Sequence, residues 1–189
     1  MNYNIQSKKD YDSLIERIKK EANGPINGTY EFCGVSCEFK GTTDQIKEIF
    51  EISDEFEYNF VQAISMFKKK QIGPYITEKY FHIIPSIKEA IKQFKIDCFE
   101  TRRCVIDFPE EHCFRSIQFL LRDNTINVVC FMRSCDAIKN LPKDMWLCSK
   151  MADILSFYIN KTLGLHPYKY QKIKMMFGSL HVYAKDLNE

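Results

Sequence analysis

The first half of the chain combines amphipathic stretches with short turn signals. Residues 11–21 carry apolar Leu14 and Ile18 among charged neighbours, which predicts a short amphipathic helix. Asn23-Gly24-Pro25 interrupts this pattern and predicts a turn. The same rules predict four further elements in this half: a strand over 30–39 and helices over 44–52, 56–67 and 83–94.

The second half is richer in strands. Apolar or alternating runs predict strands over 104–108, 114–121 and 126–133. Asp123-Asn124 predicts a hairpin turn between the last two of these. Residues 147–163 predict an apolar helix that ends at Gly164, and residues 172–177 lead to a final strand around 180–183. Because helices and strands are interleaved along the chain, the predicted class is mixed α/β.

Composition narrows the function classes. The chain has 189 residues, which suits one domain spanning 1–189, and 45% of them are hydrophobic, enough for a core. A formal charge of +2 gives no broad basic surface for nucleic acid or an anionic membrane. No apolar run approaches the roughly 18–20 residues that a membrane span needs. The polar N-terminus does not resemble a signal peptide. From the small net charge and the lack of a long apolar run, we expect neither nucleic-acid nor membrane partners.

The eight cysteines are best interpreted as reduced thiols. They contain no C-x-x-C pair, and the chain has only four histidines, so a zinc site is not expected. Several lie in apolar runs such as Val128-Val129-Cys130-Phe131, where a free cysteine packs as a small core residue. This usage predicts a cytoplasmic protein without disulfides or a bound metal.

Cationic, nucleophilic and hydrogen-bonding residues gather in three short stretches, at 101–103, 111–113 and 133–136, the last followed by 141–144. Alone, each stretch has an ordinary explanation. A double arginine is usually solvated, and one cysteine among eight is more often a packing residue than a nucleophile. Arg133-Ser134-Cys135-Asp136 is less ordinary, because an apolar strand that stops on charged residues often opens into a site.

Together these stretches resemble the thymidylate synthase family, which includes the deoxycytidylate and cytidylate hydroxymethylases. The segments that carry the resemblance are Thr101-Arg102-Arg103-Cys104-Val105-Ile106, Cys113 five residues before Gln118-Phe119, Arg133-Ser134-Cys135-Asp136 followed by Leu141-Pro142, and Gly178-Ser179-Leu180-His181-Val182-Tyr183. The match is ordered from about residue 83 to the end, and the R-S-C-D…L-P pair is its most specific part. The resemblance implies a three-layer α/β (α+β) fold with a mixed sheet flanked by helices.

The resemblance also implies a covalent mechanism on a pyrimidine nucleotide. Cys113 would add as a thiolate to C6 of the base, which makes C5 an enamine carbon able to attack an electrophilic methylene. Arg133 would lie near both the thiolate and the substrate phosphate, where a guanidinium favours the anionic sulfur. Asp136 would act on the base and folate side. The implied one-carbon donor is methylenetetrahydrofolate.

The remaining family positions would bind the nucleotide. Arg102 and Arg103 would hold its phosphate through planar guanidinium groups, reaching across from a partner subunit in a homodimer. Ser134 would add a further hydrogen bond to the phosphate. His181 and Tyr183 resemble the pair that binds the sugar hydroxyl.

Asp144 indicates which base is used. Family members that act on uracil carry asparagine at this position, whereas a carboxylate accepts a hydrogen bond from the exocyclic amine of cytosine. Hydroxymethylases acting on cytosine nucleotides also resemble this chain in having aspartate there. We therefore favour hydroxymethylation of dCMP or CMP by a methyltransferase-like enzyme of nucleotide biosynthesis.

Several departures from the family pattern leave alternatives open. Gly24 stands where the family's early phosphate loop has arginine, and the helix that supplies a catalytic glutamate places Ala63 there, or Glu57 or Glu55 in another register. The segment with a folate-lining tryptophan is missing, and a folate-closing tail after Tyr183 is expected to be lacking. The alternatives are a reduced thymidylate synthase that methylates dUMP, and a catalytically weak nucleotide-binding protein on the same fold.

Overall fold

The computed structural model describes residues 1–26, 28–57, 89, 92–93, 96, 101–108, 110, 112–164 and 168–187. Most of the predicted helices over 56–67 and 83–94 lies outside these residues, as does Ala63. The account below concerns the described part of the chain.

A seven-stranded mixed sheet organises the chain. Its strands are β1 (Asn2–Asn4), β2 (Asn23–Ile26), β3 (Thr29–Gly41), β4 (Val105–Asp107), β5 (Phe114–Arg122), β6 (Thr125–Asp136) and β7 (Tyr168–Tyr183). The order is β1-β3-β7-β6-β5-β4, with β2 paired to the same edge of β3 as β1. The β6–β7 and β1–β3 pairs are parallel and the others antiparallel. The predicted α/β class with a mixed sheet is confirmed.

Among the residues that the structure describes, the α-helices with both ends defined are α1 (Lys8–Glu21), α2 (Thr43–Ile49) and α3 (Leu141–Leu163), and a short 3-10 helix spans Ala184–Leu187. The helix predicted over 147–163 begins earlier, at Leu141, because Pro142 fits the first turn of a helix, where its missing N–H costs nothing. It ends as predicted at Gly164, whose φ of 65° gives the left-handed cap that glycine tolerates. Within the described residues, no helix combines the length and the apolar character needed to cross a bilayer.

The β5–β6 hairpin is closed by the predicted Asp123-Asn124 turn. Both residues have positive φ, 50° and 57°, as a two-residue turn of the type that matches strand twist requires. The turn fixes the register in which Ile117 faces Cys130, and both side chains are fully buried. The hairpin thereby brings the start of β5 beside the end of β6, where two of the predicted site segments meet.

The core lies between the sheet and helices α1 and α3. Alternate residues of β6 and β7 are buried against α3, whose own Trp146 is fully enclosed. The Trp146 ring packs edge-on against Phe56 with centroids 5.4 Å apart. Burying a large apolar side chain contributes about 1.5–3 kcal/mol, so packing in this layer holds β6 in a fixed position against α3.

The alternation of buried residues shifts at one row of the sheet. On β7 burial runs to Phe177 and resumes at Leu180, so Gly178 and Ser179 are both outside the core. A Cβ on Gly178 would lie 2.7 Å from the carbonyl oxygen of Arg133, so this close approach excludes a larger residue. Gly34, with φ of 63°, occupies the same row on β3. The two pieces predicted near 172–177 and 180–183 therefore form one strand with an irregularity.

Candidate active site

Cys113 lies directly before β5, beside the end of β6. Its side chain is partly buried, and its Sγ is 3.7 Å from Oγ of Ser134. The backbone N–H of Arg133 donates to the Cys113 carbonyl at 2.7 Å. The structure therefore brings together Cys113, Arg133 and Ser134, which the sequence analysis selected from two separate segments.

Local packing explains why Cys113 remains accessible. The next residue, Phe114, is 2% exposed and pairs with Met132 of β6. The β5–β6 register shifts between Phe114 and Ser116, and such an irregularity bends a strand and re-aims a side chain. Phe114 thus anchors the strand in the core while the preceding thiol stays at its edge.

Other cysteines have the properties of packing residues. Burial raises the pKa of Cys37 and of Cys104 to about 12, and burial also raises the pKa of Cys130 well above its ordinary value. A buried thiol with a raised pKa is a poor nucleophile, because the thiolate is the reactive form. Among the described cysteines, Cys113 is partly exposed and Cys33 is exposed.

Two arginines approach one backbone carbonyl next to Cys113. Nη1 of Arg115 donates to the Glu110 carbonyl at 3.1 Å, and Nη1 of Arg133 approaches the same oxygen at 3.4 Å. The sequence analysis selected Arg133 and missed Arg115. The available signal was alternation, since residues two apart on a strand project from the same side and Arg115 follows Cys113 by two.

Arg102 and Arg103 lie just before β4, and both are exposed. The Arg102 carbonyl accepts a 2.6 Å hydrogen bond from Nε2 of Gln118, and the Arg103 amide donates to Oγ1 of Thr101 at 2.9 Å. These bonds fix the backbone and leave the guanidinium groups at the surface. In the described part of the chain, no hydrogen bond or ion pair connects either side chain to Cys113.

A row of hydroxyl and carboxylate groups continues from Ser134 across the sheet. Ser134 pairs with Ser179 on β7, and Oγ of Ser179 donates to Oε2 of Glu31 on β3 at 2.6 Å. Paired residues on neighbouring strands project from the same face, so Glu31 and Ser179 share the face of Ser134. The sequence analysis assigned no role to Glu31 or Ser179, because only strand pairing shows their proximity.

His181 and Tyr183 follow Ser179 on β7. Their rings meet edge-to-face at 5.3 Å, with an interplanar angle of 90°. Nζ of Lys139 lies 6.0 Å from the centre of the Tyr183 ring and is held by a 2.6 Å ion pair with Asp186. The two predicted sugar-binding residues are therefore adjacent on the site face.

Asp136 ends β6 and shapes the connection to α3. It is 4% exposed, and its Oδ1 accepts hydrogen bonds from the backbone N–H groups of Ile138 at 2.9 Å and Lys139 at 3.0 Å. This arrangement is an aspartate-supported turn. The turn directs the chain from β6 into α3. Asp136 pairs with His181 across the β6–β7 pair.

Asp144 lies in the first turn of α3 and is 2% exposed. The thiol of Cys135 donates to its Oδ2 at 3.8 Å. Because Cys135 lies between Ser134 and Asp136, Asp144 sits directly behind the predicted site strand. The structure therefore places it next to the site but encloses it from solvent.

Metal binding has no evident place in the described part of the chain, where no three histidine, cysteine or carboxylate side chains cluster for an ion. Two surface grooves of about 300 and 420 Å³ flank helix α1. Neither is lined by Cys113, Arg133 or Ser134.

The chain matches no protein-family model, and no curated protein matches it either. The site must therefore be interpreted from its own geometry. A partly exposed thiol, a neighbouring hydroxyl and two guanidinium groups can together bind an anionic ligand and attack an electrophilic carbon within it.

Proposed function

We propose that the protein is a C5 one-carbon transferase acting on a pyrimidine nucleotide, on a thymidylate-synthase-like scaffold. The observation that carries the proposal is the 3.7 Å separation of the Cys113 sulfur from Oγ of Ser134, beside the backbone hydrogen bond that joins Arg133 to Cys113. The resemblance of the R-S-C-D and G-S-L-H-V-Y segments supports it, since the chain folds so that these segments lie on adjacent strands.

In the proposed reaction, Cys113 loses its proton to solvent and its sulfur forms a bond to C6 of the base. The C5–C6 π electrons move toward C5, which becomes nucleophilic and takes a proton or a one-carbon electrophile. In hydrogen exchange, loss of a proton from C5 then restores the double bond and expels the thiolate. In hydroxymethyl transfer, loss of the C5 proton would accompany departure of the donor's amine with the electron pair of its bond to the methylene, and water would then add to the exocyclic methylene as the double bond returns to C5–C6 and the thiolate is expelled. The Arg133 guanidinium favours this cycle by stabilising negative charge near the sulfur.

The finer proposal is hydroxymethylation of dCMP or CMP. It depends on Asp144, which is enclosed in this structure and which the base would have to reach, so that its carboxylate accepts from the cytosine amine where asparagine would serve uracil. Ser134 and the arginines bind the phosphate, and His181 with Tyr183 binds the sugar.

The described residues do not form a site for folate. Asp136 is the one group assigned to that side, and its Oδ1 already accepts two backbone hydrogen bonds. Methylenetetrahydrofolate, if it is the donor, would supply the methylene carbon. The nucleotide half of the site therefore carries the proposal.

We also propose a homodimer in which Arg102 and Arg103 reach the partner's site. The face of β6 and β7 away from α3 exposes Phe131 by 43% and Met176 by 36%, and these two residues pair across the strands. Apolar side chains together on an open sheet face are typical of an association surface.

Exchange of tritium from C5-labelled nucleotide tests the proposal without folate, because it needs only thiolate addition at C6. We expect release with wild type and with Cys33→Ser, which removes the other accessible thiol among the described residues, and none with Cys113→Ser. Equal release by Cys113→Ser would overturn the assignment. Product analysis with methylenetetrahydrofolate and either CMP, dCMP or dUMP then identifies base and product.

A further inference from the structure

Arg115 and Arg133 form a pair of like charges held by one acceptor. Both Nη1 atoms lie within hydrogen-bonding reach of the Glu110 carbonyl oxygen, at 3.1 and 3.4 Å. The two nitrogen atoms are therefore no farther apart than the sum of these distances. Guanidinium groups repel each other at such a separation.

Neither guanidinium has a carboxylate partner in the part of the chain that the structure describes. The ion pairs recorded there involve other cations, chiefly lysines, and the arginine among them is Arg17. Each guanidinium carries five N–H donors in a planar fork, and the Glu110 carbonyl engages one donor of each. Two cations with this surplus of donors are the usual protein partners of a phosphate group.

We propose that Arg115 is a second arginine of the nucleotide phosphate site, acting together with Arg133. The inference rests on the proposed function. Arg115 would supply the positive charge that an early-loop arginine supplies in the thymidylate synthase family, at the position where this chain has Gly24. A phosphate oxygen accepts from guanidinium at about 2.8 Å, so one phosphate can bridge two nitrogen atoms as close as these. The dianion would also remove the repulsion between the two arginines.

The position of Arg115 supports the same ligand. It is two residues beyond Cys113, and Arg133 donates from its backbone to the Cys113 carbonyl. A phosphate held by both guanidinium groups would therefore be bound by one residue near Cys113 in sequence and by one that is hydrogen-bonded to its backbone. The pair would distinguish nucleoside monophosphates from nucleosides, because only the former carry the dianion.

The test is isothermal titration of the whole protein with CMP, dCMP, dUMP and the nucleoside cytidine. For Arg115→Gln we expect monophosphate affinity to fall by about tenfold or more, as for loss of a hydrogen bond to a charged group, with cytidine affinity unchanged. Arg115→Lys should restore part of the loss, since it returns the charge without the fork. The matched control is Arg122→Gln, because Arg122 is on the same strand and its Nη1 also donates to a backbone carbonyl.

The outcomes separate this inference from the proposed function. If wild type and Arg115→Gln bind CMP and dUMP equally while Arg133→Gln loses affinity, Arg115 is not in the site and the function stands. If cytidine and the monophosphates weaken alike in Arg115→Gln, the residue is structural and the inference is overturned. If wild type binds none of CMP, dCMP and dUMP, the proposed function fails, and this inference fails with it.

Discussion

Ser179 of β7 donates a 2.6 Å hydrogen bond to the carboxylate of Glu31 on β3. The bond directs the only hydroxyl proton of Ser179 toward β3, so its oxygen can act only as an acceptor toward other groups. Ser179 pairs with Ser134, which lies next to the Cys113 sulfur. The carboxylate thus orders one end of the polar row that leads to the thiol.

Removing the Glu31 carboxylate should destabilise the fold. A hydrogen bond to a charged group contributes about 1.5–3 kcal/mol, so we expect Glu31→Ala to lower the free energy of unfolding by about 1–2 kcal/mol. The measurement is urea denaturation at neutral pH. Glu38→Ala is the control on the same strand, since its ion pairs with the exposed Lys40 and Lys172, at 3.3 and 4.0 Å, should together contribute less than about 1 kcal/mol. Equal losses in both variants would contradict a special role for the Glu31–Ser179 bond.

Thiol labelling should separate the cysteines by accessibility. Iodoacetamide under mild conditions should modify Cys113 and Cys33, which are accessible, before Cys37 and Cys104, whose pKa is raised to about 12 by burial. Peptide mass spectrometry over time measures each rate. A saturating nucleotide should then slow labelling of Cys113 more than that of Cys33, which lies farther along the same face, beside Ser179. Labelling of Cys113 that nucleotide leaves unchanged would count against a nucleotide seated over this thiol.

A pH-dependent ion cluster joins α2 to α3. Glu57 accepts from Lys150 and from Lys47 at 2.7 Å each, and these hydrogen bonds, with that of Lys150 largest, lower the pKa of the Glu57 carboxyl. A carboxyl with a lower pKa in the folded state adds stability above its unfolded value, near 4.5. That stability is lost as pH falls through the folded value.

The Glu57→Gln variant should therefore be less stable than wild type near neutral pH, by about 1 kcal/mol. The difference should shrink below the unfolded pKa and vanish in stronger acid. Melting temperatures across this acid range measure it, with Glu55→Gln as the exposed neighbouring control. A difference that stays constant with pH would show that Glu57 acts through packing alone.

Asp144→Asn should change base preference with little change in shape. Asparagine is almost the same size and can donate as well as accept, so we expect the ratio of kcat/KM for cytosine over uracil nucleotides to fall by about tenfold. Because Asp144 is enclosed beside Cys135, stability must be measured in parallel. An unchanged ratio in a folded variant would remove Asp144 as the discriminator.

Local signals predicted the elements whose ends depend on their own residues. The Asp123-Asn124 turn needs positive φ at both positions, and the end of α3 needs a left-handed cap that Gly164 provides. By contrast, the single strand through Gly178 depends on the neighbouring Arg133 carbonyl, which no local pattern encodes. The early start of α3 at Leu141 follows from the Asp136-supported turn before it.

The same limit applies to the candidate site. Cys113, Arg133 and Ser134 could be selected because each lies in a recognisable short segment. Glu31 could not, because its relevance arises only from strand pairing. Alternation offered a signal for Arg115, but only the shared carbonyl shows that it meets Arg133. Sequence reasoning therefore found the residues that resemble a motif and missed those that lie beside them only in the folded chain.

The face of β6 and β7 away from α3 is open and carries apolar side chains. Phe131 and Met176 pair across the strands and are exposed, so a two-fold axis near them would bury both on each chain. We expect sedimentation to show a dimer for wild type and a monomer for Phe131→Lys, because like charges would meet at the axis. Phe157→Lys, an exposed aromatic of α3, should remain dimeric.

A dimer with shared sites has a further consequence for activity. If Arg102 serves the partner's site, mixing inactive Arg102→Gln and Cys113→Ser chains gives mixed dimers with one intact site each. Tritium release should then recover to about a quarter of wild type, because random pairing makes half the dimers mixed. Recovery should be absent when both variants also carry Phe131→Lys. A dimeric wild type without any recovery would show that each chain completes its own site, because Arg102 would then act on the Cys113 of its own subunit.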